Sequence, residues 1–83
     1  MQEFLWLDLN RDKIAYHALS EEEVEYAWHY RQDLIHKNHS LHGQYTESAG
    51  RCPSGRGIKI VWRYNVDWKG DRVVYVISAY GRH

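Results

Sequence analysis

Two stretches near the end of the chain decide the fold: IKIVWRYNV at residues 58–66 and RVVYVISAY at residues 72–80. In the first, apolar residues alternate with Lys59, Arg63 and Asn65, which is the period-two pattern of a β-strand with one buried face. The second is apolar on both faces at its middle, which indicates a central strand. The linking segment, DWKGD, has the aspartate and glycine of a tight turn. The sequence therefore predicts an antiparallel hairpin.

The residues before the hairpin predict a strand and two helices. Residues 3–9, EFLWLDL, are rich in strand-forming side chains and predict an edge strand. Asn10 predicts the N-cap of a short helix over residues 10–18, because its side chain can accept from free backbone amides. Ser20 and Glu23 have the spacing of a capping box, which predicts the start of a longer helix.

The longer helix is predicted to pass Ile35 and to stop before Gly43. The evidence is a stripe of apolar residues at helical spacing, formed by Val24, Ala27, Trp28, Leu34 and Ile35. A short strand at residues 44–48 and a glycine-rich loop at residues 49–57 then lead into the hairpin.

The predicted fold class is α+β. Its 83 residues are enough for one domain, here residues 1–83, around one hydrophobic core. We expect one antiparallel sheet of three to four strands packed against two N-terminal helices, in the order β-α-α-β-β-β. The face of the sheet opposite the helices is predicted to carry Lys59, Arg63, Arg72, Ser78 and Tyr80.

Charge is unevenly spread along a chain whose formal net charge is zero. Residues 1–42 hold eight acids and four bases, whereas residues 43–83 hold three acids and seven bases. This asymmetry predicts either an anionic partner for the basic half or two halves that complement each other inside one domain. Both interpretations stay open on the sequence.

The cysteine and histidine content indicates a cytoplasmic protein without a metal or other cofactor. Cys52 is the one cysteine, so it cannot form an internal disulfide, and the N-terminus lacks the basic start and apolar run of a signal peptide. No segment reaches the roughly 20 apolar residues of a membrane span. The histidines at 36, 39 and 42 have a spacing that zinc sites use, but no cysteine or carboxylate nearby completes a ligand set, so a solvated loop is favoured.

A basic and aromatic constellation in the second half is the most informative functional pattern. Its members are Arg51, Arg56, Lys59, Arg63, Arg72 and Arg82, interleaved with Trp62, Tyr64 and Tyr80. Arginines neutralise phosphates and aromatic rings stack on unpaired bases, so the pattern predicts contact with nucleic acid. The competing interpretation places the rings in the core and leaves the arginines as ordinary surface charge.

Several short motifs resemble those of BrnT-type toxins. Residues 17–28, HALSEEEVEYAW, resemble the His-Gly-Val-Ser-x-Glu-Glu-Ala/Val entry to a helix in that family. Further similarities are Trp6 and Asp8, Tyr45, Gly50-Arg51, Ser54-Gly55-Arg56 and the ending Val76-Ile77-Ser78-Ala79. This chain has Ala18 where the family has glycine, and Tyr80 where it has arginine. A related group of small domains shares the same opening and the later strands.

The resemblance implies a fold similar to the RelE-like ribonuclease toxins. It also implies RNA cleavage without a metal, and an antitoxin partner that binds both the toxin and DNA. Together with the basic face, it suggests His17 as general base, Arg51, Arg63 and Arg82 as stabilisers of transition-state charge, and Tyr80 or His83 as general acid. Arg56, Lys59 and Arg72 are then the nucleic-acid-binding residues.

A non-catalytic interaction module or a degenerate toxin is the alternative. A third possibility is a plain interaction domain, in which the exposed aromatics Trp68 and either Tyr26 or Tyr30 mark a protein interface. A second copy of the chain covering the basic face, as a homodimer, also fits the sequence.

Overall fold

The sheet at the centre of the computed structural model has five strands and is mixed, and the structure describes residues 2–39 and 43–81, without the side chain of His39. Strand order in the sheet is β1-β5-β4-β3-β2. The elements in chain order are β1 (Phe4–Leu5), α1 (Asp8–Tyr16), α2 (Glu21–His29), β2 (Gln32–His39), β3 (Gly43–Arg51), β4 (Gly57–Val66) and β5 (Arg72–Gly81).

The predicted hairpin is confirmed as β4 and β5. The two strands pair antiparallel from Val66 opposite Arg72 to Ile58 opposite Gly81, with one register shift next to Trp62. In the turn, one carboxylate oxygen of Asp67 accepts from the backbone amides two and four residues later, at 2.9 Å each. This aspartate fixes the turn, as its type and position predicted.

The α+β class is confirmed, but the strand count and the wholly antiparallel sheet were wrong. Two differences from the predicted sheet account for these errors. The first strand is only Phe4–Leu5 and pairs parallel to β5, opposite Val74 and Tyr75. The prediction also missed β2 altogether. The observed order is therefore β-α-α-β-β-β-β.

Helix α2 is much shorter than predicted, since it ends at His29 and residues 32–39 form β2. Strand β2 pairs antiparallel with β3 along its length, with a bulge next to Leu34. Leu34 and Ile35 extended the apparent helical stripe, yet they are 44% and 41% exposed. Pairing with a distant strand therefore outweighs a local apolar pattern that suited either structure.

Arg31 marks the point where the chain leaves α2 for β2. Its guanidinium carbon lies 3.9 Å from the ring centroid of Trp28 and 4.7 Å from that of Trp62, a double cation–π contact. Its Nε donates to Asp33, which also accepts from the Ser48 hydroxyl at 2.6 Å. The Trp62 indole in turn donates to Ser48 at 2.9 Å. This network ties the start of β2 to the core.

Helix α1 begins earlier than predicted, and Asn10 is not its N-cap. Leu7 is the N-cap, and its backbone amide donates to the buried Asn10 side chain at 2.6 Å. Asn10 also donates to the Leu5 carbonyl at 3.0 Å. The side chain thus supports the helix start from inside the first turn, whereas the predicted capping box of Ser20 and Glu23 is confirmed in α2.

The core lies between the two helices and one face of the sheet. Ile14 and Val24 of the helices meet Ile58, Ile60 and further side chains of the hairpin strands, all at most 1% exposed. Burial of such residues is the main stabilising term of a small domain. None of the helices within residues 2–39 and 43–81 is long and apolar enough to cross a membrane.

Helix α2 packs closely on the sheet at Gly50 of β3. A Cβ built there would lie 2.4 Å from the backbone oxygen of Ala27 in α2. Such a contact is impossible without movement of the helix, so the glycine allows α2 to pack directly on the strand. The helices cover one face of the sheet only.

Candidate nucleic-acid interface

The face of the sheet that points away from the helices carries a group of charged and aromatic side chains, which we call the open face. Cross-strand pairing defines it: Lys59 lies opposite Tyr80 and Arg63 opposite Tyr75, while their neighbours Ile58 and Ile60 are buried in the core. The charged and tyrosine residues of the open face are Lys37, Tyr45, Glu47, Arg51, Lys59, Arg63, Tyr75 and Tyr80.

The charges of the two layers have opposite signs. Within the described residues, the open face holds four bases and one acid, whereas α1 and α2 together hold six acids and two bases. The asymmetry along the sequence therefore becomes an asymmetry across the molecule. An extended anion would be attracted to the sheet side and repelled from the helix side.

Glu47 is the one acid of the open face in the part of the chain that the structure describes, and it lies between two lysines. Its carboxylate is 2.6 Å from the Nζ of Lys59 and 3.6 Å from the Nζ of Lys37, and its side chain is 12% exposed. The hydrogen bond from Lys59 lowers the pKa of Glu47. The same bond raises the pKa of Lys59, with a smaller contribution from the neighbouring Tyr80. Both groups of the pair are therefore charged at neutral pH.

His17 and Tyr80 meet at the edge of the open face beside α1. Their ring centroids are 6.0 Å apart with an interplanar angle of 51°. Tyr80 is also the cross-strand partner of Lys59. An imidazole, a phenol and an ammonium group thus lie side by side at this edge, which we call the His17 corner. Such an arrangement can move protons and stabilise negative charge.

The backbone around His17 holds its side chain in this position. His17 is the C-cap of α1, and the amides of Ala18 and Leu19 donate back to Ala15 and Ile14 at 2.9 and 3.0 Å, which is a Schellman motif. Ala18 adopts the left-handed conformation of that motif, with φ of 58°. A helix end closed in this way has little freedom to rotate.

Arg56 reinforces the same helix end. Its guanidinium donates to the backbone oxygens of His17 at 3.0 Å and Ala18 at 3.3 Å. A cation at this position also suits the negative end of the helix dipole. Arg56, predicted to bind nucleic acid, therefore holds α1 against the loop before β4, at the border of the His17 corner.

The other predicted catalytic residues do not join this corner. Arg63 is four residues further along β4 than Lys59, about 13 Å at the rise of a strand, and its guanidinium carbon lies 5.2 Å from the ring centroid of Tyr75. Arg51 is at the same end of the sheet as Tyr80 but on β3, and it donates to the Gly55 carbonyl at 3.1 Å. Arg82 and His83 lie outside the described residues.

Arg72 was wrongly predicted to lie on the open face. It pairs with Val66 in the register of the hairpin, on the side of the sheet opposite Arg63. Its guanidinium carbon lies 3.9 Å from the ring centroid of Tyr64, which is 37% exposed. Because the helices do not reach this end of the sheet, Arg72 and Tyr64 form a separate surface pair there.

The predicted exit loop with the histidines is mostly strand. His36 lies in β2, opposite Thr46, and its Nδ1 is 2.9 Å from the Thr46 hydroxyl. His42 and the side chain of His39 lie outside the described residues. Among the residues that are described, no three potential ligands from histidine, cysteine, aspartate and glutamate come together.

Cys52 lies in the core rather than in an accessible loop. Cys52 is 3% exposed, and this burial raises the pKa of its thiol. The thiol is therefore protonated at neutral pH.

Sequence reasoning missed Lys37 and Glu47 as members of the open face. The predicted helix passes Ile35 and a polar exit follows it, so the prediction contains neither β2 nor the pairing of β2 with β3 that surrounds Glu47 with two lysines. The alternation of Tyr45, Glu47 and Ala49 was the available signal, since it continues the period-two pattern of the hairpin.

Comparisons with protein-family models, with curated proteins and with solved structures find no match to this chain. The geometry of the open face and the motifs described from the sequence are therefore the grounds on which a function is proposed.

Proposed function

We propose that this chain binds single-stranded RNA on its open face and cleaves it without a metal, as the toxin of a toxin–antitoxin pair. The observation that carries the proposal is the concentration, among the described residues, of four cations and three tyrosine rings on a sheet face that neither α1 nor α2 covers. Cations neutralise phosphates, and tyrosine rings stack on unpaired bases in a sequence-tolerant way.

The charge of the helix layer supports the same docking direction. A phosphate backbone is repelled by the acids of α1 and α2, so the sheet side is the favourable side for RNA. The chain has no net charge, so binding depends on this separation and not on overall attraction.

The His17 corner has the groups that metal-free cleavage requires. His17 takes the proton from a ribose 2′-hydroxyl, whose oxygen then attacks the adjacent phosphorus. The bond from phosphorus to the 5′-oxygen breaks, a 2′,3′-cyclic phosphate forms, and Tyr80 donates its phenolic proton to the leaving oxygen. Lys59, beside Tyr80, stabilises the extra negative charge on the phosphorus oxygens in the transition state.

A non-catalytic interaction module is the second candidate function. Trp68 and Tyr30 favour it, because they are 91% and 74% exposed, and large exposed aromatics are enriched in protein interfaces. An antitoxin is the partner that the resemblance to BrnT-type toxins implies. We expect a cytoplasmic location, since a lone thiol gains nothing from an oxidising compartment.

Incubation of the purified protein with a single-stranded RNA in EDTA tests the catalytic proposal. We expect fragments with 2′,3′-cyclic phosphate ends, and a rate at least about 100-fold lower for His17→Gln. His36→Gln is the matched control, because it changes a histidine of β2 away from the corner. RNA that stays intact with the wild-type protein, or equal rates for wild type and His17→Gln, would reject catalysis and favour the interaction module.

A further inference from the structure

A groove of about 820 Å³ crosses the end of the sheet and connects the open face with the outer surface of α2. Its lining includes Tyr26 of α2 and Tyr30 just after it, Gln32 at the start of β2, Arg51 at the end of β3 and Gly57 at the start of β4. It is separate from the His17 corner, which lies on the opposite side of β4.

Two tyrosine rings form one wall of the groove. Tyr26 and Tyr30 are one helical turn apart, and their ring centroids are 5.0 Å from each other at an angle of 49°. They are 44% and 74% exposed, so neither is part of the core. Each ring therefore has accessible surface on which a planar group can stack.

Gly57 leaves space in the groove, and the fold does not require a glycine at this position. Gly57 has no positive φ, and a Cβ built there would meet no atom within 4 Å. Neither backbone conformation nor packing demands glycine at this position, in contrast to Gly50. The missing side chain leaves room in the groove, which is what a bound ligand would need.

Arg51 joins the groove to the open face. It belongs to the open face by its register opposite Gly57, and it also lines the groove. Its guanidinium donates to the Gly55 carbonyl at 3.1 Å, which holds it at the rim between the two surfaces. A phosphate bound there would direct a strand from the sheet into the groove.

We propose that this groove is a base-stacking subsite for single-stranded RNA that continues from the open face. The inference rests on the proposed RNA binding and names the substrate class more closely. Unpaired bases, which carry no charge, stack on Tyr26 and Tyr30 at the C-terminal end of α2, beyond the glutamates of its first turn. The charged phosphate stays with Arg51 between the two surfaces. Double-stranded RNA offers no free base faces to the tyrosine pair, so it does not use the subsite.

Fluorescence anisotropy tests the subsite with a labelled 12-nucleotide oligouridine that carries 2′-O-methyl groups, which prevent cleavage during the measurement. The double variant Tyr26→Ala/Tyr30→Ala is expected to bind about tenfold or more weakly than the wild type, since stacking contributes roughly 1–3 kcal/mol per base. The matched variant Tyr26→Phe/Tyr30→Phe keeps the rings and should bind like the wild type. Because both tyrosines are exposed, the variants should unfold at the wild-type temperature, and this is measured in parallel.

Gly57→Val provides an independent test that leaves the tyrosines unchanged. Valine favours a strand but fills the groove floor, so binding should weaken while stability is kept. Asn65→Val adds the same side chain to the same face of β4 outside the groove and should have no such effect. A 12-base-pair RNA duplex should bind wild type and tyrosine variants equally.

The outcomes separate the subsite from the proposed function. If the wild type binds the oligouridine and the alanine and valine variants bind it equally well, the subsite is rejected while RNA binding on the open face stands. If the wild type does not bind the oligouridine, RNA binding itself is rejected.

Discussion

The rings of His17 and Tyr80 lie with their centroids 6.0 Å apart, although they come from opposite ends of the chain. The end of α1 fixes the histidine, and the pairing of β5 with β4 fixes the tyrosine. In the proposed reaction these two side chains act as base and acid.

Removal of the Tyr80 hydroxyl should separate chemistry from binding. Tyr80→Phe keeps the ring, so we expect RNA affinity within about twofold of the wild type and a cleavage rate about 100-fold lower, the typical contribution of a general acid. Single-turnover cleavage and anisotropy measure the two quantities. A Tyr80→Phe variant that cleaves at the wild-type rate would remove this tyrosine from the mechanism.

Ala18→Gly should stabilise the protein. Ala18 has a φ of 58°, and the left-handed conformation costs about 1–2 kcal/mol for a residue with a Cβ. Part of the gain is offset, because glycine increases the entropy of the unfolded chain by about 0.4–1 kcal/mol. We expect a net increase of about 0.5–1 kcal/mol in the free energy of unfolding, measured by urea and tryptophan fluorescence.

The control for Ala18→Gly is Ala15→Gly, inside the same helix. It should destabilise the protein by about 1 kcal/mol, since glycine is a poor helix former. Equal losses for both variants would show that Ala18 is not strained.

Gly50→Ala should destabilise the protein by about 1–3 kcal/mol. The new Cβ would lie 2.4 Å from the backbone oxygen of Ala27, so α2 has to move away from β3. Gly57→Ala is the matched control, because its Cβ meets no atom within 4 Å and the residue has no positive φ. The free energy of unfolding of Gly57→Ala should equal or exceed that of the wild type. A neutral Gly50→Ala would contradict the close packing of helix and strand.

Glu47→Gln should lower stability and raise RNA affinity. The folded pKa of Glu47 is lowered, so its contribution to stability is fully present above the ordinary carboxyl pKa of about 4.3 and is lost as pH falls through the folded value. The difference in melting temperature between wild type and Glu47→Gln should thus be largest near pH 7 and shrink below about pH 4.

The affinity change of Glu47→Gln has the opposite sign. Removing one negative charge from the open face should tighten RNA binding roughly two- to threefold, the effect of a unit charge about 8 Å from a phosphate in water. Glu22→Gln, which removes an exposed acid of α2, should change affinity less. Weaker RNA binding by Glu47→Gln would contradict docking on the open face.

The elements defined by local chemistry were predictable from the sequence. The hairpin follows from strict alternation and from Asp67 in its turn, and the start of α2 follows from the capping box of Ser20 and Glu23. Strand β2 was not predictable in the same way. Leu34 and Ile35 fit a helical stripe locally, and only pairing with β3 decides between helix and strand.

The candidate site was predictable as residue types but not as geometry. Lys59, Arg63 and Tyr80 were expected on one face because strand alternation fixes which side each occupies. The approach of His17 to Tyr80 depends on how α1 lies beside β5, and the position of Arg72 depends on the register shift and the turn. Neither is encoded in a local pattern.

The salt dependence of RNA binding tests the central claim most directly. The logarithm of the affinity for oligouridine should fall linearly with the logarithm of the salt concentration, with a slope of about −0.7 per phosphate neutralised. Lys59→Gln/Arg63→Gln should bind more weakly and make the slope shallower by about 1.4. Lys69→Gln/Arg72→Gln changes net charge by the same amount but off the open face, and it should keep the wild-type slope. Equal slopes for the two double variants would contradict RNA binding on the open face.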